Sequence, residues 1–518
     1  MSYAATGREA ITDRRGLADE VIVAMTLVVA KLGIHLALAT RYGRHRDEYY
    51  FIDCGQNLAF GYVDHAPLVP WLAGLSTALF GDSLLMLRFP SILAGAGTVW
   101  LAILLSRRFG ANVYGQALAG LAVLFAPAYL RMHGMLDLPA FEPLFWTVAA
   151  LLLADLIDGA DRRRWLLIGA VVGLGLMNKH TMLLWGLGVG VGVLATPLRA
   201  HLRTRWPWLG AAIAFGIFTP NLVWQAQHGW PTLQFIQNMR EMTLAEVPRH
   251  LFAAGQILYM GPLALPIWLC GLVYFFTDAG KRYRLFGWLF VTVLFALTVM
   301  HAKPYYSAPA YPMVFAAGGA WLGRWFESRH VLRNAFIAAL IVSGLALGAI
   351  TLPVFPLSKV DATLERALGW VVRPVDLTHD MHDEFGWAEQ AAAVETVFAG
   401  LSPHERQTAT IFTANYGQAS ALNLHGPAHG LPRATSGHMN HHLWGPDPSR
   451  PGPLIVVGLS SEDLAMLCEG PHEAGRIMNP DAMESNIPIY VCRDHVPLGT
   501  LWPKLARYHH GRAGYDAQ

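Results

Sequence analysis

The sequence predicts a polytopic α-helical membrane protein that carries a small α/β domain at its C-terminal end. Three observations carry this. The chain has 518 residues, of which 54% are hydrophobic and only 14% charged. Apolar runs of about twenty residues recur between residues 17 and 353, the length needed to cross a bilayer. Beyond Pro353 the pattern changes to short β-type runs alternating with helical ones.

The N-terminal stretch MSYAATGREAITDRRGLADE has no short apolar core with a small-residue cleavage site. It reads as a cytoplasmic tail before a retained first helix. Apolar runs follow at 17–40, 83–106, 112–130, 139–158, 165–178, 181–196, 208–226, 251–276, 285–300, 308–323 and 334–353, which makes about eleven transmembrane helices. The fifth and sixth are short and share the break MNKHT. Arg14 and Arg15 precede the first run, and basic residues then cluster after alternate runs: Arg107 and Arg108, DRRRW, PLRAHLRTR, GKRYR, then Arg324, Arg329 and Arg333. The positive-inside rule makes that side cytoplasmic and puts the C-terminal domain on the opposite, periplasmic side. The domain division is thus 1–353, the membrane domain, and 354–518, the periplasmic one.

The outer loop at 41–82 is long and partly apolar. Its segments DEYYFIDCGQNLAF and APLVPWLAGLSTALFG have apolar residues at helical spacing. They read as two amphipathic helices lying at the membrane–water boundary, with 232–246 as a third. In the C-terminal part, ATIFTANYG is a strand ending at Asn415–Tyr416–Gly417 and QASALNLHG a helix. GPLIVVGLSSEDLAMLCEG is strand, turn and helix, capped by Ser460 or Ser461. IPIYVCRD is a further strand, giving a partly parallel sheet.

Of the four cysteines, Cys54 and Cys270 lie among apolar residues, and no CxxC occurs. Cys468 and Cys492 suit either a disulfide in an oxidising compartment or two free thiols. A formal net charge of +2 and the lack of a basic tract interleaved with aromatics argue against nucleic acid. No glycine-rich phosphate loop follows a strand, so nucleotide binding has little support.

Five places could carry chemistry. Asp47–Glu48 sits near the outer end of the first run. One carboxylate there could act as a general base, or both could simply occupy the favourable N-terminal turn of a helix. Neighbours on a helix point about 100° apart, so the two do not aim at one atom. Asp64–His65 precedes Pro67 and suits an anion contact or a plain polar turn. Asp137, with Arg131 nearby, lies where two runs meet the outer face, where an acid needs a partner or water. Lys179, Lys303, Tyr305 and Tyr306 could grip a phosphate at headgroup depth or serve as interfacial anchors. His228, with His45, His133, His180, His250 and His301, shows no ligand-like spacing, so no metal site is assigned.

The outer-loop DE, then DHAPLVPWL, FGDSLLMLRFPS, the acid of the next outer loop, NKHT and KPYYSAPAYP recur in an order that resembles glycosyltransferase family 39. That family includes protein O-mannosyltransferases and bacterial lipid A aminoarabinose and galacturonic acid transferases, of GT-C fold. NYGQASALNLHGPAHGLPRATSGHMNHHLWGP is similar to the C-terminal part of many bacterial members. The resemblance runs from residue 17 to the end. It implies an inverting transferase of the bacterial inner membrane, with a polyprenyl-phosphate-linked sugar as donor. The acceptor is an envelope lipid, glycan or protein hydroxyl on the outer face.

By the same resemblance Asp47 matches the catalytic acid position and Asp137 the second-loop acid. Where the lipid A transferases have a lysine before a Pro-Pro pair, this chain has His65–Ala66. Lys179, Lys303 and Tyr306 are then expected to share the phosphate contact with His65 and Asp64. No cofactor is required, a divalent metal being the open exception. The rival readings are a transporter or flippase for a lipid-linked or anionic substrate, and a membrane-anchored binding protein.

Overall fold

The computed structural model describes residues 3–242, 248–370 and 373–509. The side chains of Arg14 and Arg15, and residues 243–246 of the third expected surface helix, lie outside the described residues. The chain forms two compact units. One comprises 1–39, 88–222 and 244–354; the other comprises 40–87, 223–243 and 355–518. The first outer loop therefore belongs with the C-terminal residues, a division that a single cut at 353 does not give.

The first unit is helical. Among the described residues six helices are long and apolar enough to cross a membrane: Ala18–Leu38, Leu84–Arg108, Leu138–Ile157, Trp206–Gln227, Lys281–Val299 and His330–Thr351. Two helix pairs bent by 103° and 92°, Met182–Leu194 with Pro197–Arg203 and Arg249–Met260 with Pro262–Tyr274, would raise that to eight. Other expected spans are shorter. Val113–Phe125 has 13 residues, and Arg164–Asn178 and Tyr311–Trp325 have 15 each. At 1.5 Å per residue these reach only about 20–22 Å, less than the hydrocarbon thickness. The third run is cut by Pro127, which takes Ala126 into an extended conformation and starts a new helix, Pro127–Met132.

Tyr311–Trp325 is the central helix, with 12 of its 15 residues buried. It meets Leu265–Tyr274 at Gly318 and Gly271, where a Cβ on either would collide with the facing backbone. In a membrane core, where apolar burial between helices gains little over lipid, such close approach is what holds helices together.

The second unit is built on a five-stranded sheet of order β2-β1-β3-β6-β5. The strands are β1 Thr410–Thr413, β2 Ala434–Ser436, β3 Leu454–Val457, β4 Cys468–Glu469, β5 His472–Ile477, β6 Ile487–Cys492 and β7 Asp494–His495. Strands β2, β1 and β3 are parallel; β6 and β5 continue antiparallel. Ile411, Ile455 and Val457 face one layer with Val394 and Val397 of helix Trp387–Ala399. Phe412, Leu454 and Val456 face the other with Leu464 and Leu467 of helix Ser461–Leu467. Alternate residues of one strand thus feed opposite layers, and β1 and β3 are buried throughout. Ser460 caps Ser461–Leu467 by accepting from Asp463 N, as the sequence indicates. Cys468 and Cys492 are joined by a disulfide, with Cα atoms 5.8 Å apart.

Two helices of the outer loop lie in this unit: α2, Arg46–Gln56, and α3, Leu68–Phe80, with α1, Tyr3–Leu38, preceding them in the chain. They cross where Gly55 of α2 and Gly74 of α3 touch, leaving no room for a Cβ on either. α3 keeps Leu75, Leu79 and Phe80 exposed, as an interfacial helix should. Helix Pro231–Met242 likewise exposes Leu233 and Ile236. α2 departs from the boundary position expected for it. Eight of its eleven residues are buried. Tyr50 packs on Tyr416, with ring centroids 4.6 Å apart, and Tyr49 on Trp387 at 5.8 Å. It is a core helix of the second unit.

Candidate active site

Asp47 and Glu48 occupy the first turn of α2, but the fold gives them different work. His45 is the N-cap; its Nδ1 accepts from Asp47 N at 3.1 Å. Glu48 reaches back, and its Oε2 accepts from His45 N at 2.9 Å, completing a capping box. Glu48 is fully buried. Asp47 points elsewhere, with 28% of its side chain exposed. Its Oδ1 accepts a 2.6 Å hydrogen bond from the Tyr416 hydroxyl and lies 3.7 Å from Arg46 Nε. The guanidinium of Arg46 stands 5.4 Å over the Tyr416 ring and 3.6 Å from Asp383 Oδ2. An accessible carboxylate at the positive end of a helix, held by a phenol, can accept a proton from a hydroxyl.

Asp64 and His65 sit beneath this turn. Asp64 Oδ1 accepts from Tyr50 OH at 3.0 Å, and His65 Nε2 is 3.7 Å from the same oxygen. The His65 ring is enclosed by Tyr50, Phe51 and Tyr62, with centroids 4.8 to 5.5 Å away, and is 4% exposed. This is an aromatic wall rather than an open anion contact.

A second ion cluster in the unit was not anticipated from sequence. Asp53 of α2, 2% exposed, pairs with Arg433, accepts from Asn423 Nδ2 at 2.7 Å and lies 3.4 Å from His441 Nε2. The same His441 nitrogen is 2.9 Å from Ser420 Oγ. A nucleophilic triad needs serine and acid on opposite ring nitrogens, so Ser420, His441 and Asp53 do not form one. Burial pushes the His441 imidazole down to about 4, against the opposing pull of Asp53.

The cations are in the first unit. Lys179 C-caps helix Arg164–Asn178 and pairs with Glu142, Nζ to Oε2 2.9 Å. Thr181 donates to the other oxygen of Glu142. The ammonium lies 4.6 Å from the Tyr306 ring centre and 5.8 Å from that of Tyr305. Those tyrosines are carried by the turn Pro304–Ala310. Gln256 pins this turn, accepting from Ser307 at 2.5 Å and Tyr311 at 2.9 Å and donating to Pro304 O. Lys303 opens the turn half-buried, with no ion pair or side-chain hydrogen bond among the described residues. Asp137 caps the short helix Leu138–Ala140 by accepting from Leu138 N at 2.7 Å, and it acts electrostatically on Lys179.

Sequence reasoning missed Tyr416, Glu142, Thr181 and the Asp53 cluster. Tyr416 lies in the NYG that ends the strand and Thr181 in NKHT, but nothing local marks Tyr416 as the partner of Asp47 or Glu142 as the partner of Lys179. Among the described residues no three His, Cys, Asp or Glu side chains converge on a metal-sized site.

Comparison with known proteins defines the class. Residues 64–224 match the family described as dolichyl-phosphate-mannose-protein mannosyltransferase. ArnT from Cupriavidus metallidurans, bound to undecaprenyl phosphate, superposes with a TM-score of 0.59 at 15% identity. The match covers 90% of this chain and 97% of that one. The apo state of the same protein gives 0.53 at 16% identity, covering 94% and 98%. The fold is that of the GT-C membrane glycosyltransferases, and the chain is a multi-pass membrane protein of this fold.

Particular relatives agree with the motif resemblance. The lipid A galacturonosyltransferase RgtD of Rhizobium johnstonii is 25% identical over 267 residues, 50% of this chain and 55% of that protein. Undecaprenyl phosphate-alpha-4-amino-4-deoxy-L-arabinose arabinosyl transferase 1 of Pseudomonas fluorescens is 25% identical over 171 residues, 32% and 30% of the two. The matched stretch spans about half the length of the first relative and a third of the second.

Proposed function

We propose that the chain is an inverting glycosyltransferase of the bacterial inner membrane that takes its sugar from a polyprenyl-phosphate donor. The acceptor is a hydroxyl of an envelope lipid, glycan or protein. One observation carries the reading: Asp47 is a partly exposed carboxylate held at a helix N-terminus by a phenol, in a chain that shares its fold with a structure holding undecaprenyl phosphate. The acceptor oxygen attacks the anomeric carbon from the face opposite the phosphate. Its proton passes to Asp47, the C–O bond to phosphate breaks, and polyprenyl phosphate leaves. The configuration inverts.

Lys303, with the phenols of Tyr305 and Tyr306, is a cation–phenol group of the first unit suited to a phosphate. Lys179 is already paired with Glu142 and orients the two tyrosines. Asp137 adds negative charge beside Lys179. The basic residues after alternate spans support a cytoplasmic N-terminus. The Cys468–Cys492 disulfide supports an oxidising, extracytoplasmic location for the sheet domain. None of these observations favours transport.

The test is mass spectrometry of envelope lipids and glycans from a strain lacking the protein. A sugar-bearing species should vanish, return with the wild-type chain, and stay absent with Asp47→Asn. Restoration to the wild-type level by Asp47→Asn would remove the general-base role.

A further inference from the structure

Asp47 is not held by its own loop alone. Its hydrogen-bond donor, Tyr416, stands 369 residues away at the start of helix Tyr416–His425 in the sheet domain. We infer that Tyr416 is a positioning residue for the general base, so that the C-terminal domain supplies part of the reaction machinery. This rests on the role proposed for Asp47 above.

The geometry favours a fixed donor. Asn415 N-caps the helix and anchors its first turn by accepting from Gln418 N at 3.0 Å, while its Nδ2 donates to Glu484 at 2.8 Å. Gln418 donates to the other Glu484 oxygen, also at 2.8 Å. Tyr416 N faces His438 Nδ1 at 3.4 Å, and the ring is pressed between Tyr50 and the Arg46 guanidinium. The hydroxyl is thus delivered from a ring with little freedom. Burial, with the negative charge of Asp47, raises the phenol well above its ordinary range despite Arg46, so it stays protonated and donates.

The charged and titratable groups facing Asp47 can be named. His45, Arg46 and Glu48 come from its own turn, and Tyr416 from the helix packed on it. Asp383 approaches Arg46 and His45, at 3.6 and 3.9 Å. Glu484 acts on Arg46, and Asp64 on Tyr416. Of these, Tyr416 donates a short bond to the Asp47 carboxylate from another element. A donor to the charged form favours ionisation and fixes the orientation of the carboxylate that receives the substrate proton.

The experiment is an infrared titration of the full chain in detergent, with the Asp47 carboxyl band assigned by difference against Asp47→Asn. In Tyr416→Phe the Asp47 midpoint should rise by about 0.5 to 1 pH unit, because the charged form loses a hydrogen bond. Replacing Tyr416 by 3-fluorotyrosine, nearly isosteric and a stronger donor, should move it down; this variant serves if Tyr416→Phe does not accumulate. In the deletion strain Tyr416→Phe should lower the sugar-bearing product about tenfold, the weight of one hydrogen bond to a charged group. A midpoint that stays put in both Tyr416 variants, or a product level unchanged in Tyr416→Phe, overturns the positioning role. The titration needs no substrate, so its failure is distinct from failure of the base reading, which only full transfer by Asp47→Asn would bring.

Discussion

Lys179 and Glu142 form an ion pair 2.9 Å long in which the carboxylate is 5% and the ammonium 19% exposed. Such a pair is more costly to break than it is valuable to make, because the survivor is left charged and desolvated. Lys179→Met should therefore lower stability by about 3 kcal/mol. Lys179→Met with Glu142→Leu should recover most of that, as thermal unfolding in detergent will read.

Lys303 has no such commitment. Lys303→Met should leave the unfolding temperature within about 2 °C of wild type, since an unpaired half-exposed cation contributes little to folding. Its effect should fall on undecaprenyl phosphate affinity, lowered about tenfold, the weight of one charge-assisted contact. Binding to immobilised protein over a salt series will separate the two effects.

Glu48 stands next to the proposed base but serves the cap. Glu48→Gln keeps an acceptor for His45 N and should retain transfer. Glu48→Ala should cost about 1 kcal/mol of stability through the lost capping bond. Envelope mass spectrometry beside a melting curve distinguishes this from a catalytic role, in which Glu48→Gln would abolish product.

His441 gives a pH signature. It is held neutral, at about 4, whereas an unfolded histidine titrates near 6.5. Above pH 6.5 neither state binds the proton and the contribution to stability is fully present. As pH falls from 6.5 towards 4 only the unfolded state takes it up, so stability drops by about 3 kcal/mol across that window. His425, His442 and His509 are lowered too, each first by burial, and add to the same slope. The unfolding temperature should fall steeply below pH 6.5, and less steeply in His441→Gln.

Residues 355–518 cannot be removed without stripping α2. Its buried face also meets α3 and Asp64, but Tyr49 packs on Trp387, Tyr50 on Tyr416 and Asp53 pairs with Arg433, all beyond residue 386. A chain ending at 354 should show α2 cleaved rapidly by added protease, whereas the full chain resists.

The membrane character and the order of the sheet domain were legible in the sequence because their signals are local. A twenty-residue apolar run, a buried LIVV and a Ser460 cap each declare themselves within a few residues. The pair TyrTyr at 49–50 does not. Aromatics beside a first span read equally as an interfacial belt or as core, and the deciding neighbours, Tyr416 and Trp387, are hundreds of residues away. Lys179 was recognisable as a cation at a span end. Its engagement by Glu142 depends on how two helices meet, which periodicity does not encode. Helix count suffered similarly, since short buried helices such as Tyr311–Trp325 are as apolar as spanning ones.

Contacts between Asp47 and Tyr416, and between Asp53 and Arg433, link positions 369 and 380 residues apart. Translation at about 5–20 residues per second puts roughly 20–75 s between the two halves leaving the ribosome. For that interval α2 can meet α3 and Asp64, but Tyr49 lacks Trp387, Tyr50 lacks Tyr416 and Asp53 lacks Arg433. The Asp47–Tyr416 contact is thus completed only at the end of synthesis, which makes this loop a natural client for whatever shields nascent segments.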